Sequence, residues 1–190
     1  MRSDRFAELD RIALVVLAML AVVAAIELWM GRVPMCRCGT IALWHGAIDS
    51  QNSQQISDWY TFTHVLHGIG FYALLVLIAW RLPVPVRLLP AVFIEGAWEV
   101  VENSSFIIDR YREATISLNY YGDSVVNSVS DIVTMMLGFW MAHRLPTLLS
   151  IGVVIAVEVV LALVIRDNLT LNIIMLIHPV EAIKHWQMGS

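Results

Sequence analysis

Long apolar runs separated by short polar breaks dominate this chain, and their lengths predict its elements. Residues 11–30 (RIALVVLAMLAVVAAIELWM) approach the ~20 apolar residues that an α-helix needs to cross a hydrocarbon core. The run outlasts a signal-peptide core and carries no small-residue cleavage site, so it is expected to remain as an anchor. Residues 31–57 hold Pro34, Cys36, Cys38 and the polar run SQNSQQ, and read as a loop. Residues 59–80 form the second expected span, with tryptophans at both ends as interface anchors. The segment RLPVPVR breaks the helix at its prolines, and residues 88–108 form the third span. A charged, aromatic loop is expected over residues 109–122, then spans over 124–143 and 147–165. The last apolar run, residues 169–177, stops at His178-Pro179 and is too short to cross, so 169–186 is expected to be a re-entrant or interfacial helical segment. The predicted fold class is an all-α integral membrane protein, a single domain of about five transmembrane helices plus that C-terminal segment.

Composition points the same way. Of 190 residues, 58% are hydrophobic and only 15% charged, with a mean hydropathy of +0.71. An ordinary soluble domain is about a quarter charged. A net charge of −4 leaves no basic patch and excludes a nucleic-acid partner. Arginine and lysine divide evenly between the two faces, but those on the N-terminal side sit in the shorter loops. The N-terminus is therefore expected in the cytoplasm of a bacterial inner membrane.

Against this apolar background, three polar clusters stand out: Asp58–His64–His67, Glu95–Glu99–Glu102–Asn103 and Asp123–Asn127–Asp131. Ionisable groups in a bilayer usually face the bundle interior or a wet cavity. His64 and His67, then Glu95, Glu99 and Glu102, then Asp123, Asn127 and Asp131 are spaced by three or four residues, which puts each of these sets on one helix face. The second span starts, the third ends and the fourth starts on the same side, so the three stripes are expected at matching depth. One shared intramembrane site follows.

Imidazole and carboxylate together suit zinc, iron or manganese. The candidate ligands are His64, His67 and Glu99, with zinc as the first expectation and Glu102 or Asp131 as fourth ligand or base to a bound water. Glu102, Asp123, Asn127 and Asp131 are the candidate catalytic residues. The aspartates alone could share a proton and activate water. The competing readings are histidines hydrogen-bonded to a carboxylate of the next helix, and proton handling. Arg110 and Arg112 lie beside the same face, where they could hold a phosphate headgroup or serve as interfacial anchors. Ser124, Ser128 and Ser130 read as packing contacts. Cys36 and Cys38 read as a local disulfide or two free thiols; with His45 and Asp49 they belong to a surface loop or a lid. Glu158 and His143 fall outside the expected site.

The stretches GRVPMCRCGTIALWHG, SDWYTFTHVLHGIGFY, IEGAWEVVENSSFIIDRYREATISL, YYGDSVVNSVSDIVTMMLGF and IRDNLTLNIIMLIHPVEAI resemble an uncharacterised bacterial polytopic membrane-protein family over residues 31–186. More distantly, Asp58, His64 or His67, Glu95 or Glu99, and Asp123, Asn127, Asp131 and Gly138 follow an order similar to the VanZ-like group. That resemblance implies a role in envelope phenotypes, including glycopeptide resistance. The resulting expectation is a hydrolase or transferase acting on a lipid-linked envelope substrate. A proton-coupled small transporter and a non-catalytic envelope-assembly protein are the alternatives.

Overall fold

The structure, a computed structural model, describes residues 2–115 and 120–189. Within them the chain forms eight helices and no strand: α1 Arg2–Trp29, α2 Thr61–Ile78, α3 Val84–Glu102, α4 Ser105–Ala114, α5 Val125–Arg144, α6 Thr147–Val164, α7 Leu169–Ile177 and α8 Glu181–Met188. Four of these are long and apolar enough to cross a membrane: α1 from Phe6, α2, α5 and α6. Leu14, Leu17, Leu148 and Leu163 stand exposed on α1 and α6, an outer surface suited to lipid rather than water.

The expected third span is corrected at both ends. Helix α3 begins at Val84 behind Pro83 and spreads Arg87, Glu95, Glu99 and Glu102 along its length, too much charge for it to stand with those four by composition. It stops at Glu102 because Asn103 turns its amide back onto the Glu99 carbonyl and across to Asp123. Ser104 then caps a new helix, its hydroxyl accepting from Ile107 N. Residues 105–108 thus belong to α4 rather than to a span, and the expected loop after them is helical as far as Ala114.

Helices α2 and α5 cross in backbone contact. A Cβ on Gly68 would land on the Met135 carbonyl, and one on Gly138 on the Val65 carbonyl. Small residues allow this approach, which is how apolar helices associate without a hydrophobic drive between them. Around the crossing, Leu88, Ala91, Val92, Ile132, Met135 and Phe139 pack with Val16 and Val23 of α1.

Residues 31–57 are more than a surface loop. Ser124 N donates to Ser53 O and Val125 N to Val33 O, while Asn127 Nδ2 reaches Gln55 O at 2.9 Å and Gln54 Nε2 reaches Gly122 O at 2.7 Å. The segment is stitched over the N-terminus of α5 as a roof. Cys36 and Cys38 form a disulfide within it.

The C-terminal segment is two short helices, broken at His178-Pro179 and ending near Met188 rather than 186. Glu158 anchors α7, its carboxylate accepting from Leu169 N at 3.1 Å and Thr170 N at 3.2 Å. A carboxylate at a helix N-terminus is favoured by the helix dipole.

Replacing Gly68 or Gly138 with valine should lower the thermal unfolding midpoint in detergent, at a cost of ~1–3 kcal/mol or more. Gly70→Ala, where a Cβ meets nothing within 4 Å, should be neutral or mildly stabilising in the same assay.

Candidate functional site

Helix α2 carries His64 and His67 one turn apart, both facing α3. His64 Nδ1 lies 2.6 Å from Glu95 Oε1, and His67 Nδ1 lies 2.9 Å from the same oxygen. Glu99, one turn further along α3, comes within 3.5 Å of His64 Nδ1. Asp131 approaches from α5, its Oδ2 3.7 Å from His64 Nε2. One imidazole therefore faces carboxylates at both ring nitrogens. Glu95 is fully buried and His64 nearly so, a setting in which every polar atom needs a partner.

A second group forms one turn nearer the roof, where carboxylate oxygens of Glu99, Glu102 and Asp123 lie within 4.8 Å of one another. Gly122, at φ +93°, turns the chain into Asp123. Both oxygens of Asp123 are held: Tyr120 OH donates to Oδ1 at 3.0 Å and Asn103 Nδ2 to Oδ2 at 2.8 Å. Burial nevertheless raises the Asp123 carboxyl above its usual range, against the pull of those two donors. Burial and the neighbouring carboxylates push the Tyr111 and Tyr120 hydroxyls well up, so both stay protonated as donors at neutral pH.

Both groups open onto one cavity of about 340 Å³. Its polar wall is His64, His67, Glu95, Glu102, Asp123 and Asp131; its apolar wall includes Phe71, Ile94 and Trp98, with Ile173 and Leu176 of α7. Such a mixture of apolar lining and a few convergent polar groups is what ligand sites have in common.

The sequence-derived residues do not all meet there. His64, His67, Glu102, Asp123 and Asp131 line the cavity. Glu99 lies behind it, and Glu95 rather than Glu99 closes on both imidazoles. Asn127 is tied to the roof through Gln55 O. Asp58 is a turn residue whose oxygens accept from Ser53 N at 2.6 Å and Tyr60 N at 2.8 Å. Arg110 Nε donates to Leu176 O at 2.9 Å and Arg112 Nε to Tyr120 O at 2.6 Å, which sets both side chains against residues of the cavity wall. His45 pairs with Asp49 at 2.9 Å at the surface. His143 contacts Tyr72 at the far end of α5, as its position in the chain implies.

Several contributors escape a reading by polar clusters. Trp98, Tyr111, Tyr120 and α7 line the cavity without belonging to any. Glu27, inside the first apolar run, is fully buried, its carboxylate turned towards Ser128 of α5. Asp167 ties three elements together, accepting from Tyr60 OH, Asn172 Nδ2 and Gln187 Nε2.

A family model for a protein of unknown function (DUF2585) matches residues 10–189. The UPF0314 protein of Brucella anthropi is 54% identical over 177 residues, covering 93% of this chain and 90% of its own. That of Paracoccus denitrificans is 55% identical, covering 84% and 83%, and that of Sphingopyxis alaskensis is 53% identical, covering 93% and 95%. No solved structure matches the chain. The chain belongs to the DUF2585 family of proteins of unknown function.

Burial pushes Asp167 from its ordinary 3.8 up to about 6. A proton held more tightly in the folded state stabilises docking of α7 and α8 fully below about pH 4, and that stabilisation is lost as pH rises through about 6. Protection of α7 and α8 amides from hydrogen exchange, corrected for intrinsic rates, should fall across that window by about 3 kcal/mol. Asp167→Asn should flatten the dependence.

Proposed function

We propose that this DUF2585 member is an integral inner-membrane protein that uses its cavity for metal-assisted hydrolysis or group transfer on a lipid-linked envelope substrate. In this reading α3 is the fifth span, sheltered among α1, α2 and α5, which is why it tolerates more charge. The observation that carries the proposal is the convergence of His64 Nδ1 and His67 Nδ1 on the Glu95 carboxylate, with Asp131 on the other nitrogen of His64.

A neutral imidazole has one N–H to give, yet His64 faces a carboxylate at each nitrogen. A divalent cation on the Nδ1 side and a proton on Nε2, donated to Asp131, would satisfy both. A carboxylate behind a ligating histidine is the usual outer support of a metal site. Three protein ligands and an open position towards the cavity match catalytic zinc. The ligand set is thus His64, His67 and Glu95, with Glu99 adjacent. A bound zinc would make hydroxide available near neutral pH. Glu102 and Asp131 stand in the cavity wall to take or return the proton, and Arg110 and Arg112 at its edge suit a phosphate.

The Cys36–Cys38 disulfide supports placing the roof in an oxidising compartment. The roof would then be periplasmic, the N-terminus cytoplasmic, and the cavity at the outer leaflet, where envelope precursors are handled. The distant VanZ-like pattern agrees with that placement. Glu27, a carboxylate fully buried within an apolar helix, favours a second reading, a proton-coupled carrier in which the same carboxylates titrate.

Chelator-free protein purified in detergent should carry about one zinc per chain by elemental mass spectrometry. His64→Ala and Glu95→Gln should each lose it, and Asp131→Asn should weaken zinc affinity by about 10–100-fold. Wild-type protein that neither retains nor takes up a divalent ion would sink the metal reading in favour of the carrier.

A further inference from the structure

We infer that the roof-side half of the cavity binds the primary ammonium of an aminophospholipid headgroup. The inference rests on the cavity facing lipid, as proposed above, but not on a metal being bound.

Glu102 and Asp123 line this half, and Glu99 stands behind them, 1% exposed, its Oε1 making no hydrogen bond and only a 3.5 Å approach to His64 Nδ1. Carboxylate oxygens of the three lie within 4.8 Å of one another and repel strongly in a low dielectric, which a proton or a cation between them relieves. An ammonium has three N–H donors to give, one for each. The remaining walls suit an organic cation better than a second metal ion. Trp98, Tyr111 and Tyr120 supply aromatic rings, the two tyrosines edge-to-face with centroids 5.3 Å apart. Aromatic faces attract alkylammonium groups but offer a hard cation no ligand. Both oxygens of Asp123 already accept hydrogen bonds, which fixes the carboxylate as an acceptor rather than freeing it for inner-sphere coordination. The cavity as a whole, about 340 Å³, has room for a headgroup beside an ion.

The phosphate end is provided for by chain order. Arg110 and Arg112 flank Tyr111 on α4, and each is anchored by its Nε to a carbonyl of a cavity-wall residue, Leu176 and Tyr120. Anchoring through Nε holds both guanidinium groups beside the cavity wall, that of Arg112 with Asp109 3.5 Å from its Nη1, and arginine is the side chain that recognises phosphate. Beyond it, Ile173 and Leu176 continue the wall in apolar side chains that suit the start of an acyl chain. A zwitterion with ammonium inside and phosphate at the rim fits this order of charges; an anionic headgroup without an amine does not.

The test is lipid binding to the detergent-purified full chain, followed by native mass spectrometry and by tryptophan fluorescence. The probes are phosphatidylethanolamine, phosphatidylglycerol and soluble phosphoethanolamine. Phosphatidylethanolamine should bind at least about tenfold tighter than either of the others. Glu102→Gln should remove that preference while leaving the weaker phosphatidylglycerol binding and the unfolding midpoint in place, and Tyr111→Leu should weaken it in part. Arg112→Ala should weaken both lipids. Equal affinity for the two lipids, or a preference untouched by Glu102→Gln, would overturn the inference. Phosphoethanolamine binding as tightly as the lipid would overturn the lipid assignment, and stoichiometric magnesium or calcium that blocks the amine would show a metal site instead. Zinc content measured on the same samples keeps the two proposals separate: zinc lost with the lipid preference intact sinks only the metal reading.

Discussion

Two imidazoles sharing one buried carboxylate hold this molecule in register. Glu95 is on α3 and both histidines are on α2, so the contact fixes how far along each other the two helices lie. Asp131 brings α5 to the same imidazole. Groups of this kind cost several kcal/mol each to bury and stay only where geometry compensates them. The Gly68–Gly138 crossing supplies that geometry by letting α2 and α5 approach at backbone distance. Either feature without the other would leave unpaired charge or an open seam.

From that centre the remaining parts acquire a purpose. Segment 31–57 closes the end of the bundle where the carboxylates gather, through main-chain contacts to the start of α5. Helix α4, split from α3 at Asn103, folds Tyr111 back over Glu102. Helix α7 closes a side of the cavity, pinned at its N-terminus by Glu158 and at its far end by Arg110. Three covers over one polar pocket, each fastened by a different residue, describe a site enclosed on the roof side and bounded laterally by apolar surface.

Much of this was legible in the sequence, and the misses share a cause. Apolar run length located α1, α2, α5 and α6 because burial in an apolar medium sets a minimum length. The i, i+3 and i+4 spacings put His64 with His67 and lined up the polar faces of α3 and α5, and the order of the spans brought these faces, with Asp123 just ahead of α5, to one cavity. The same spacing could not choose between Glu95 and Glu99, since both lie on that face and only the axial offset of α2 against α3 separates them. Nor could it end α3 at Glu102, because the stop depends on Asn103 meeting Asp123, twenty positions later in the chain. Glu27 was hidden by its apolar neighbours, and Tyr111, Tyr120 and α7 reach the cavity only through tertiary folding.

The most direct test of the central claim is X-ray absorption at the zinc edge on zinc-loaded protein in detergent. Coordination by two imidazoles at ~2.0–2.1 Å with carboxylate and water oxygen, reduced to one imidazole in His67→Ala, is the expected result. A spectrum with only oxygen neighbours, or one unchanged by the substitution, would mean that His64, His67 and Glu95 are a hydrogen-bonded strut between helices and not a metal centre.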